Sequence, residues 1–217
     1  MTTSPLHFIT LEGTEGSGKT TQIDLLKARL QQRGDEVISV REPGGTALGE
    51  ALREILKFSP AGRGICPEAE LLLFEASRAE LISKIIAPAL KAGTWVISDR
   101  FTDSTHVYQG CARQLSTDVI DKANDLATFS GQYKPAITLF LDISYAQASA
   151  RIRRRRGAEA ESDRFEAESE AFFHKVIAGY QSIADEEPER FRRVDASRDV
   201  EAVSISIWEE VSRAFCL

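Results

Sequence analysis

Short runs of apolar residues alternate along the chain with longer segments in which apolar side chains recur every three or four positions. The runs predict buried strands, and they cover residues 6–12, 36–40, 94–98, 136–141 and 191–194. Between the first two runs, the spacing of Ile23, Leu25, Leu26 and Leu30 predicts one face of a helix that Gly34 ends. Strands separated by helices pair in parallel and are covered on both faces, so the pattern predicts an α/β fold built on a parallel sheet.

The segments between the strands predict helices of different lengths. The predicted helices cover residues 18–33, 46–56 and 67–91, stretches within 101–130, the flanks of an arginine-rich segment at 151–164, and the C-terminal residues. Pro88 is expected to end or kink the last turn of the long helix, because proline lacks a backbone N–H. Residues 58–66 are rich in glycine and proline and predict a loop. No repeat or linker divides the chain, so a single domain over residues 1–217 is predicted.

Composition and charge narrow the class of protein. Of the 217 residues, 42% are apolar and 28% charged, which is typical of a globular enzyme. The net charge of −6 disfavours a nucleic-acid binder, because such proteins depend on basic residues for affinity. No apolar run approaches the roughly 18 residues of a membrane span, and residues 1–5 lack a signal-peptide pattern. We therefore expect a cytoplasmic protein without a nucleic-acid or membrane partner.

The strongest chemical signal is a phosphate-binding pattern between the first strand and the first helix. It comprises Gly13, Thr14, Glu15, Gly16, Ser17, Gly18, Lys19 and Thr20, with Thr21 following in the helix. Small residues let backbone N–H groups and the helix N-terminus surround phosphate oxygens. Lys19 is expected to meet the β- and γ-phosphates of ATP, and the Thr20 hydroxyl to bind Mg²⁺. A chance match in a glycine-rich turn is the alternative, but the flanking strand and helix are those that a P-loop requires.

The P-loop alone does not identify the reaction, because it also opens GTPases and motor ATPases. No Asn-Lys-x-Asp run of the kind that reads guanine is present in the sequence. The chain is also too short for a motor with its coupling domains. These observations favour a small kinase that moves the γ-phosphoryl group of ATP to an acceptor.

Charged residues follow two predicted strands at the edge where ligands collect in parallel sheets. Asp99 can hold a water molecule or a neighbouring arginine near Mg²⁺, and Arg100 can bind an acceptor phosphate through two nitrogens. A helix N-cap followed by a surface arginine is the other interpretation of this pair. Arg41 and Glu42 reach the same edge through a turn shaped by proline and two glycines, or simply form that turn. Thr20, Asp99 and Glu42 are therefore the candidate metal ligands.

Several longer runs resemble one family, the bacterial thymidylate kinases. They are FITLEGTEGSGKTTQ, REPGGT, LLLFEASRAE, ISDRFTDSTHVYQG and DRFEAE, and they occur in that family's order and spacing along nearly the whole chain. The resemblance implies the P-loop fold of nucleoside monophosphate kinases, with five parallel strands and a mobile lid. It also implies transfer of the γ-phosphoryl group of ATP to dTMP, giving dTDP and ADP in dTTP biosynthesis, with Mg²⁺ as cofactor. The family usually forms homodimers, so a homodimer is expected.

The same resemblance assigns the acceptor-binding residues position by position. Phe74 looks like the aromatic residue that stacks on the thymine ring, and Arg78, one helical turn later, like the donor to a base carbonyl. Taken alone, these two would be a core phenylalanine and a surface arginine. Tyr108 resembles the tyrosine that crowds the sugar 2′ position and favours deoxyribose. The other implied contacts are Glu15 near the sugar, Ser104 and Thr105 at the base edge, Gln109 beside the acceptor, and Arg41 and Arg100 at its phosphate.

Positive charge for the transferring phosphoryl group is missing from the P-loop, because its variable positions 14–17 hold no basic residue. Two anionic substrates repel each other, so a cation has to come from elsewhere. The segment 151–164 resembles the lid of thymidylate kinases that lack a P-loop arginine. Arg154 and Arg156 are the first candidates to reach the phosphates, followed by Arg151. A solvated basic helix and a nucleic-acid-binding stripe are the alternatives.

Three other functions stay open on the sequence alone. A kinase for another pyrimidine monophosphate or for a deoxynucleoside shares most of these motifs, although Phe74, Arg78 and Tyr108 argue for dTMP. A nucleotide-dependent switch that has lost catalysis is disfavoured by the presence of Lys19 and Asp99. A nucleic-acid-binding protein would have to show a steep salt dependence of binding.

Overall fold

The computed structural model describes residues 6–156 and 163–217, but not the side chain of Arg156. Residues 157–162, which the sequence assigns to the lid, lie outside the described residues. The described part forms a five-stranded sheet in the order β2-β3-β1-β4-β5, and each neighbouring pair is parallel. The strands are β1 (Phe8–Glu12), β2 (Val37–Arg41), β3 (Trp95–Asp99), β4 (Ile137–Asp142) and β5 (Phe191–Asp195). This confirms the predicted parallel α/β fold.

Helices connect the strands and cover both faces of the sheet. The α-helices are α1 (Lys19–Gln32), α2 (Ala47–Lys57), α3 (Pro67–Leu81), α4 (Ala87–Lys91), α5 (Thr102–Thr105), α6 (Thr117–Ala127), α7 (Tyr145–Arg156), α8 (Glu170–Glu186) and α9 (Val200–Phe215). A 3₁₀ turn covers Pro60–Gly62, and π-helical turns cover Ile82–Ile86 and His106–Ala112. Within the described residues, the structure holds no helix long and apolar enough to cross a membrane.

The two faces of the sheet bury different side chains, because neighbouring residues of a strand point in opposite directions. On β1, Ile9 and Leu11 pack into a cluster with residues of α1 and α9. Phe8 points the other way, into a cluster that includes Leu81 at the end of α3 and Phe101 after β3. Because all five residues of β1 are buried, this strand is held rigidly between two packed layers.

Pro88 does not end the long helix at its own position, and the helix reaches Lys91, the bound that the sequence predicts. Helical residues run from Pro67 to Lys91, and the π-helical turn Ile82–Ile86 precedes the proline. In that turn the N–H of Ala87 bonds to the carbonyl of Ile82, five residues back. The bonding register is therefore shifted immediately before the residue that lacks an N–H, which lets the helix continue past it.

The carboxyl ends of three neighbouring strands meet at one edge of the sheet. The register pairs Leu11 with Asp99 and Arg41 with Asp99, so these strand ends are level with each other. The loop after β1 and the residues after β2 and β3 therefore converge at this edge. In parallel sheets, ligands bind at this edge, where the strand order changes direction.

Candidate active site

The P-loop after β1 has a backbone that requires glycine at two positions. Gly13 and Gly16 have φ angles of 141° and 81°, a range that side chains rarely adopt. A Cβ added at Gly13 would lie 2.9 Å from the carbonyl oxygen of Leu141, and one at Gly16 would lie 2.5 Å from that of Ala148. The loop is therefore packed tightly against neighbouring backbone, and its shape is fixed before any ligand binds.

Lys19 begins α1 and turns its amine back into the loop. Its Nζ donates to the carbonyl oxygens of Gly13 and Thr14, both at 3.0 Å, and lies 4.0 Å from Oδ1 of Asp99. Burial, assisted by the charge of Arg100, lowers the pKa of Lys19 to about 8. A buried ammonium group with so few anionic partners is a strong attractor for a further anion.

Two oxygen groups near Lys19 match the ligands that Mg²⁺ prefers. Oδ1 of Asp99 is buried and has no hydrogen-bond partner among the described residues. Thr20 is exposed, and both residues line a large cleft of about 1280 Å³ that runs over the P-loop. Mg²⁺ usually takes one or two protein oxygens together with substrate phosphates and water, so this donor set fits the ion.

The lid helix α7 lies along the same large cleft. Arg151, Arg154 and Arg155 line it, and Nη2 of Arg151 donates to the carbonyl of Ala196 at 2.9 Å. The guanidinium that contacts the P-loop is that of Arg155, whose Nη2 lies 3.0 Å from Oε1 of Glu15. The sequence favours Arg154 and Arg156 for contact with the ATP phosphates, which stays a prediction; the side chain of Arg156 lies outside the described residues.

A smaller pocket opens beside the P-loop between α3, α5 and the π-helical turn His106–Ala112. Aromatic rings on its wall are Phe74, Tyr108, Phe165 and Phe173. Polar side chains among them are Arg78, Arg100, Ser104, Thr105 and Gln109. The structure thus brings together the residues that the sequence assigned to the acceptor, with Arg41 as the exception.

Arg78 is the most deeply buried charge of this small pocket, with 1% of its surface exposed. Its Nε donates to Glu42 at 2.9 Å, and its Nη1 donates to Thr105 at 2.9 Å and to Asn124 at 2.8 Å, with Glu75 as a further partner. The guanidinium is therefore fixed in orientation by groups from α3, α5 and α6 and from the residue that follows β2. Without these partners a buried arginine would be strongly destabilising.

Glu42 is bound to Arg78 through Oε2, and the metal-ligand role that the sequence assigned to it stays a prediction. Burial raises the pKa of Glu42 to about 7; the attraction of Arg78 opposes this rise, and the carboxylates of Glu75 and Glu12 add to it. Its Oε1 has no hydrogen-bond partner among the described residues, and the residue lines both cavities. Glu42 is thus an electrostatic partner of Arg78 rather than of Lys19.

Arg41 lies in the large cleft and is more than half exposed. Its Nη2 binds the carboxylate of Glu50 at 2.9 and 3.1 Å, and the N–H of Gly45 donates to the same carboxylate. Half-buried Arg53, on the inner side of α2, also lines the cleft and donates to the carbonyl of Pro43 at 2.9 Å. Sequence reasoning missed Arg53; the available signal was its position one residue after the buried Leu52 on an amphipathic helix.

Arg164 and Phe165, at the end of the predicted lid segment, belong to a contact network around Glu70 that the motifs did not predict. Glu70, 1% exposed on α3, accepts hydrogen bonds from Gln109 at 2.8 Å and from Arg113 at 3.3 Å, and pairs with Arg164 at 2.6 Å. Phe165 follows directly and makes an edge contact with Phe74 at 5.8 Å between ring centres. The end of the lid is thereby tied to the wall of the small pocket.

Four charged side chains line both cavities and separate them. They are Glu15, Glu42, Lys57 and Arg100. Although burial raises the pKa of Glu15, the positive charges of Lys19, Arg155, Arg100 and Lys57 outweigh it and hold that pKa at about 2. Glu15 is therefore ionised at neutral pH, at the junction of the two cavities.

Comparison with known proteins identifies one family over nearly the whole chain. The family model described as thymidylate kinase matches residues 11–207. Among curated proteins, a thymidylate kinase of Synechococcus sp. (strain JA-3-3Ab) is 48% identical over 94% of both chains, and that of Nitrosospira multiformis is 44% identical over 96% of this chain and 98% of its own. A solved thymidylate kinase from Ehrlichia chaffeensis superimposes with a TM-score of 0.74 at 33% identity, covering 94% of this chain and 97% of that one.

Proposed function

This chain belongs to the thymidylate kinase family, and from that premise we propose how its own residues transfer the γ-phosphoryl group of ATP to dTMP. The enzyme is an ATP-dependent nucleoside monophosphate kinase whose products are dTDP and ADP. The observation that carries the assignment of roles is the pair of adjoining cavities, one beneath the lid arginines and one lined by aromatic rings.

ATP occupies the large cleft in this proposal. The backbone N–H groups of Gly16, Ser17 and Gly18 surround the β-phosphate, and Lys19 leaves the loop carbonyls to meet the β- and γ-oxygens. Thr20 and Asp99 would hold Mg²⁺, which neutralises charge between the β- and γ-phosphates when bound. The protein's own residues align the two substrates and stabilise the charge of the transferring phosphoryl group, because phosphoryl transfer requires little covalent chemistry from a protein.

dTMP occupies the small pocket, with its base between aromatic walls and its phosphate toward the junction. Phe74 stacks on thymine, Arg78 donates to a base carbonyl, and Tyr108 crowds the sugar 2′ position. Thr105 and Gln109 complete the polar edge of the base. No general base is required, because the acceptor phosphate is already an anion at neutral pH.

Arg100 is placed to hold the acceptor phosphate at the junction between the two cavities. It lines both, and its guanidinium carbon lies 5.0 Å from the centre of the Tyr108 ring. Arg53 and Arg41 approach from the large cleft and supply further positive charge to the same region. Together they offset the repulsion between two anionic substrates.

The lid arginines are expected to differ sharply in their effect on turnover. Arg154 lines the large cleft, whereas Arg153 turns away and donates to Ser149 on its own helix at 3.3 Å. Arg154→Ala is expected to lower kcat by about 10²-fold, because it removes a cation that meets charge in the transition state. Arg153→Ala is the matched control and is expected to keep kcat within about two-fold. Equal effects of the two substitutions on kcat would remove Arg154 from the mechanism.

An acceptor panel in a coupled ADP-release assay tests the proposed substrate. With ATP and Mg²⁺, dTMP is expected to be turned over far faster than dUMP, UMP, CMP, AMP or GMP, and thymidine not at all. Preference for another monophosphate would keep the kinase chemistry and overturn the roles of Phe74, Arg78 and Tyr108. Absence of turnover, in protein shown to bind ATP, would favour a nucleotide-dependent binding module.

We also propose that the enzyme is a cytoplasmic homodimer. Leu72 on α3 and Leu126 on α6 are 65% and 83% exposed, and these two helices are neighbours. Large apolar side chains exposed together often mark a protein interface. Sedimentation equilibrium gives the mass directly, and a monomer at micromolar concentration would contradict the proposal.

A further inference from the structure

Glu12 is a fully buried acidic residue at the end of β1, and the proposed transfer does not use it directly. Its Oε1 accepts from the N–H of Phe101 at 2.7 Å and from that of Ser104 at 3.3 Å. Its Oε2 accepts from the hydroxyls of Ser104 at 2.6 Å and Tyr180 at 2.8 Å. Four donors from two helical elements and one connecting segment therefore converge on a single carboxylate.

Arg100 lies on the other side of the same two hydroxyl groups. Its Nη1 donates to Ser104 Oγ and to Tyr180 OH, both at 3.2 Å. Its backbone has a φ of 74°, a left-handed conformation that is unusual for arginine. Two hydrogen bonds hold the Arg100 backbone in this conformation. Its N–H donates to Leu11 O at 3.0 Å, and its carbonyl accepts from Ser98 Oγ at 2.7 Å. A residue held in this way presents its side chain in one fixed direction.

The polarity of the hydroxyl groups is set by what lies on each side of them. A guanidinium can only donate, so each hydroxyl must turn a lone pair toward Arg100. Each hydroxyl hydrogen can then point to Oε2 of Glu12, the carboxylate oxygen that both of them reach; the two hydroxyl oxygens also lie 3.0 Å apart, so one can instead donate to the other. The two hydroxyls thus connect Glu12 to Arg100 through hydrogen bonds, without a direct ion pair between the two residues.

We propose that Glu12 is a positioning residue that aims Arg100 at the acceptor phosphate, acting through Ser104 and Tyr180. The inference rests on the proposed role of Arg100 and deepens it. Glu12 also bonds the N–H groups of Phe101 and Ser104, at the start of α5, so the same carboxylate fixes the backbone that follows Arg100. Burial and the nearby Asp103 raise the pKa of Glu12; Arg100 and the two hydroxyl donors oppose that rise by favouring the ionised form, without cancelling it.

The substitution Glu12→Gln tests the proposal while preserving shape. The amide oxygen can still accept from the two backbone N–H groups, but the amide nitrogen then faces the two hydroxyls and donates to them. One hydroxyl can still donate to the other, 3.0 Å away, but the remaining hydroxyl hydrogen is left without an acceptor on the side of residue 12 and weakens the contact with Arg100. A structural role alone would affect every ligand of the pocket, whereas the proposed role affects only ligands that carry a phosphate.

The measurement is the ratio of the dissociation constants of thymidine and dTMP, obtained by competitive binding to the intact enzyme. Glu12→Gln is expected to lower this ratio by about 10-fold, which corresponds to one weakened hydrogen-bonded contact to a charged group. Tyr180→Phe removes one of the two hydroxyls and is expected to lower it by a smaller factor. Adding Tyr180→Phe to Glu12→Gln is expected to change the ratio little further, because both act along one path.

Two control variants separate the possible failures. Gln181→Met alters the side chain next to Tyr180 on α8, which faces Asp142 instead, and it is expected to leave the ratio unchanged. Arg100→Ala is expected to lower the ratio by about 10²-fold; an unchanged ratio there would refute the proposed phosphate role of Arg100. A lowered ratio for Arg100→Ala with an unchanged ratio for Glu12→Gln and Tyr180→Phe would overturn the present inference alone.

Discussion

Replacing Lys19 with methionine is expected to reduce phosphoryl transfer by at least ~10³-fold while making the fold more stable at neutral pH. The loss of activity follows from the position of the amine among the P-loop carbonyls, where an incoming polyphosphate would draw it. Methionine keeps much of the volume of the lysine stem but cannot stabilise negative charge. A coupled ADP-release assay with saturating dTMP measures the change in kcat.

The gain in stability follows from the lowered pKa of Lys19. That pKa is about 8 in the folded enzyme against 10.5 in the unfolded chain, so folding disfavours the charged form of Lys19. Below pH 8 both states are protonated and the full penalty applies; it declines as pH rises from 8 to 10.5, because the unfolded chain then binds more protons. Lys19→Met is therefore expected to raise the free energy of unfolding by about 3 kcal/mol at pH 7 and by less at pH 10.

Urea unfolding at the two pH values measures this difference. Lys27→Met is the matched control, since Lys27 lies two turns further along α1 and is only half-buried. It is expected to leave both activity and the pH dependence of stability unchanged. A Lys19→Met enzyme less stable than the wild type at pH 7 would show that the hydrogen bonds of the amine outweigh its burial.

Arg78→Met is also expected to have a large effect, destabilising the fold by about 3 to 5 kcal/mol at pH 8. The substitution leaves the carboxylates of Glu42 and Glu75 buried without the guanidinium that they share. It also removes the donor to the thymine carbonyl, so dTMP binding is expected to weaken together with stability.

The loss is expected to depend on pH through Glu42. A carboxyl whose pKa is raised in the folded state contributes stability below its unfolded pKa, and that contribution is lost as pH rises through the folded value, here about 7 in the wild type. Without Arg78 the folded pKa of Glu42 rises further, so the variant is expected to recover part of its stability at pH 5. Chemical unfolding at pH 5 and pH 8 measures both values.

A second substitution separates unpaired charge from lost packing. Adding Glu42→Gln to Arg78→Met is expected to restore at least 1 to 2 kcal/mol at pH 8 and to flatten the pH dependence. Glu42→Gln alone is expected to cost less than Arg78→Met, because Arg78 keeps Glu75, Thr105 and Asn124. If the double variant is as unstable as the single one at both pH values, the cost lies in the cavity rather than in the charge.

Sequence patterns predicted the parts of the molecule that local chemistry determines. The P-loop and the five strands follow from short runs whose periodicity and glycine content allow few other structures. The small pocket was predicted through resemblance rather than through physics, since nothing about Phe74 alone distinguishes a ligand contact from a core residue. The structure places it at a cavity wall, half-buried.

Residues whose roles depend on distant partners could not be predicted from the sequence. Glu12 reaches Tyr180, 168 positions away, and Glu70 meets Arg164 across the lid, so neither pairing leaves a local pattern. Arg155 was passed over in favour of its neighbours because the spacing of arginines on a helix does not reveal which one faces the P-loop. The sequence predicted that the helix reaches Lys91, but the π-helical shift of backbone bonding before Pro88 is not encoded in composition.

The four charged side chains shared by the two cavities have a consequence for inhibitor chemistry. Glu15, Glu42, Lys57 and Arg100 belong to the lining of both cavities, so the two cavities adjoin at these side chains. A single molecule that carries a pyrimidine at one end and a phosphate chain at the other can extend past these side chains and occupy both cavities at once. Joining the two halves raises the effective concentration of each for its own chamber. Such a bridging compound would also hold Arg100 and the lid arginines against one ligand, which neither half can do alone.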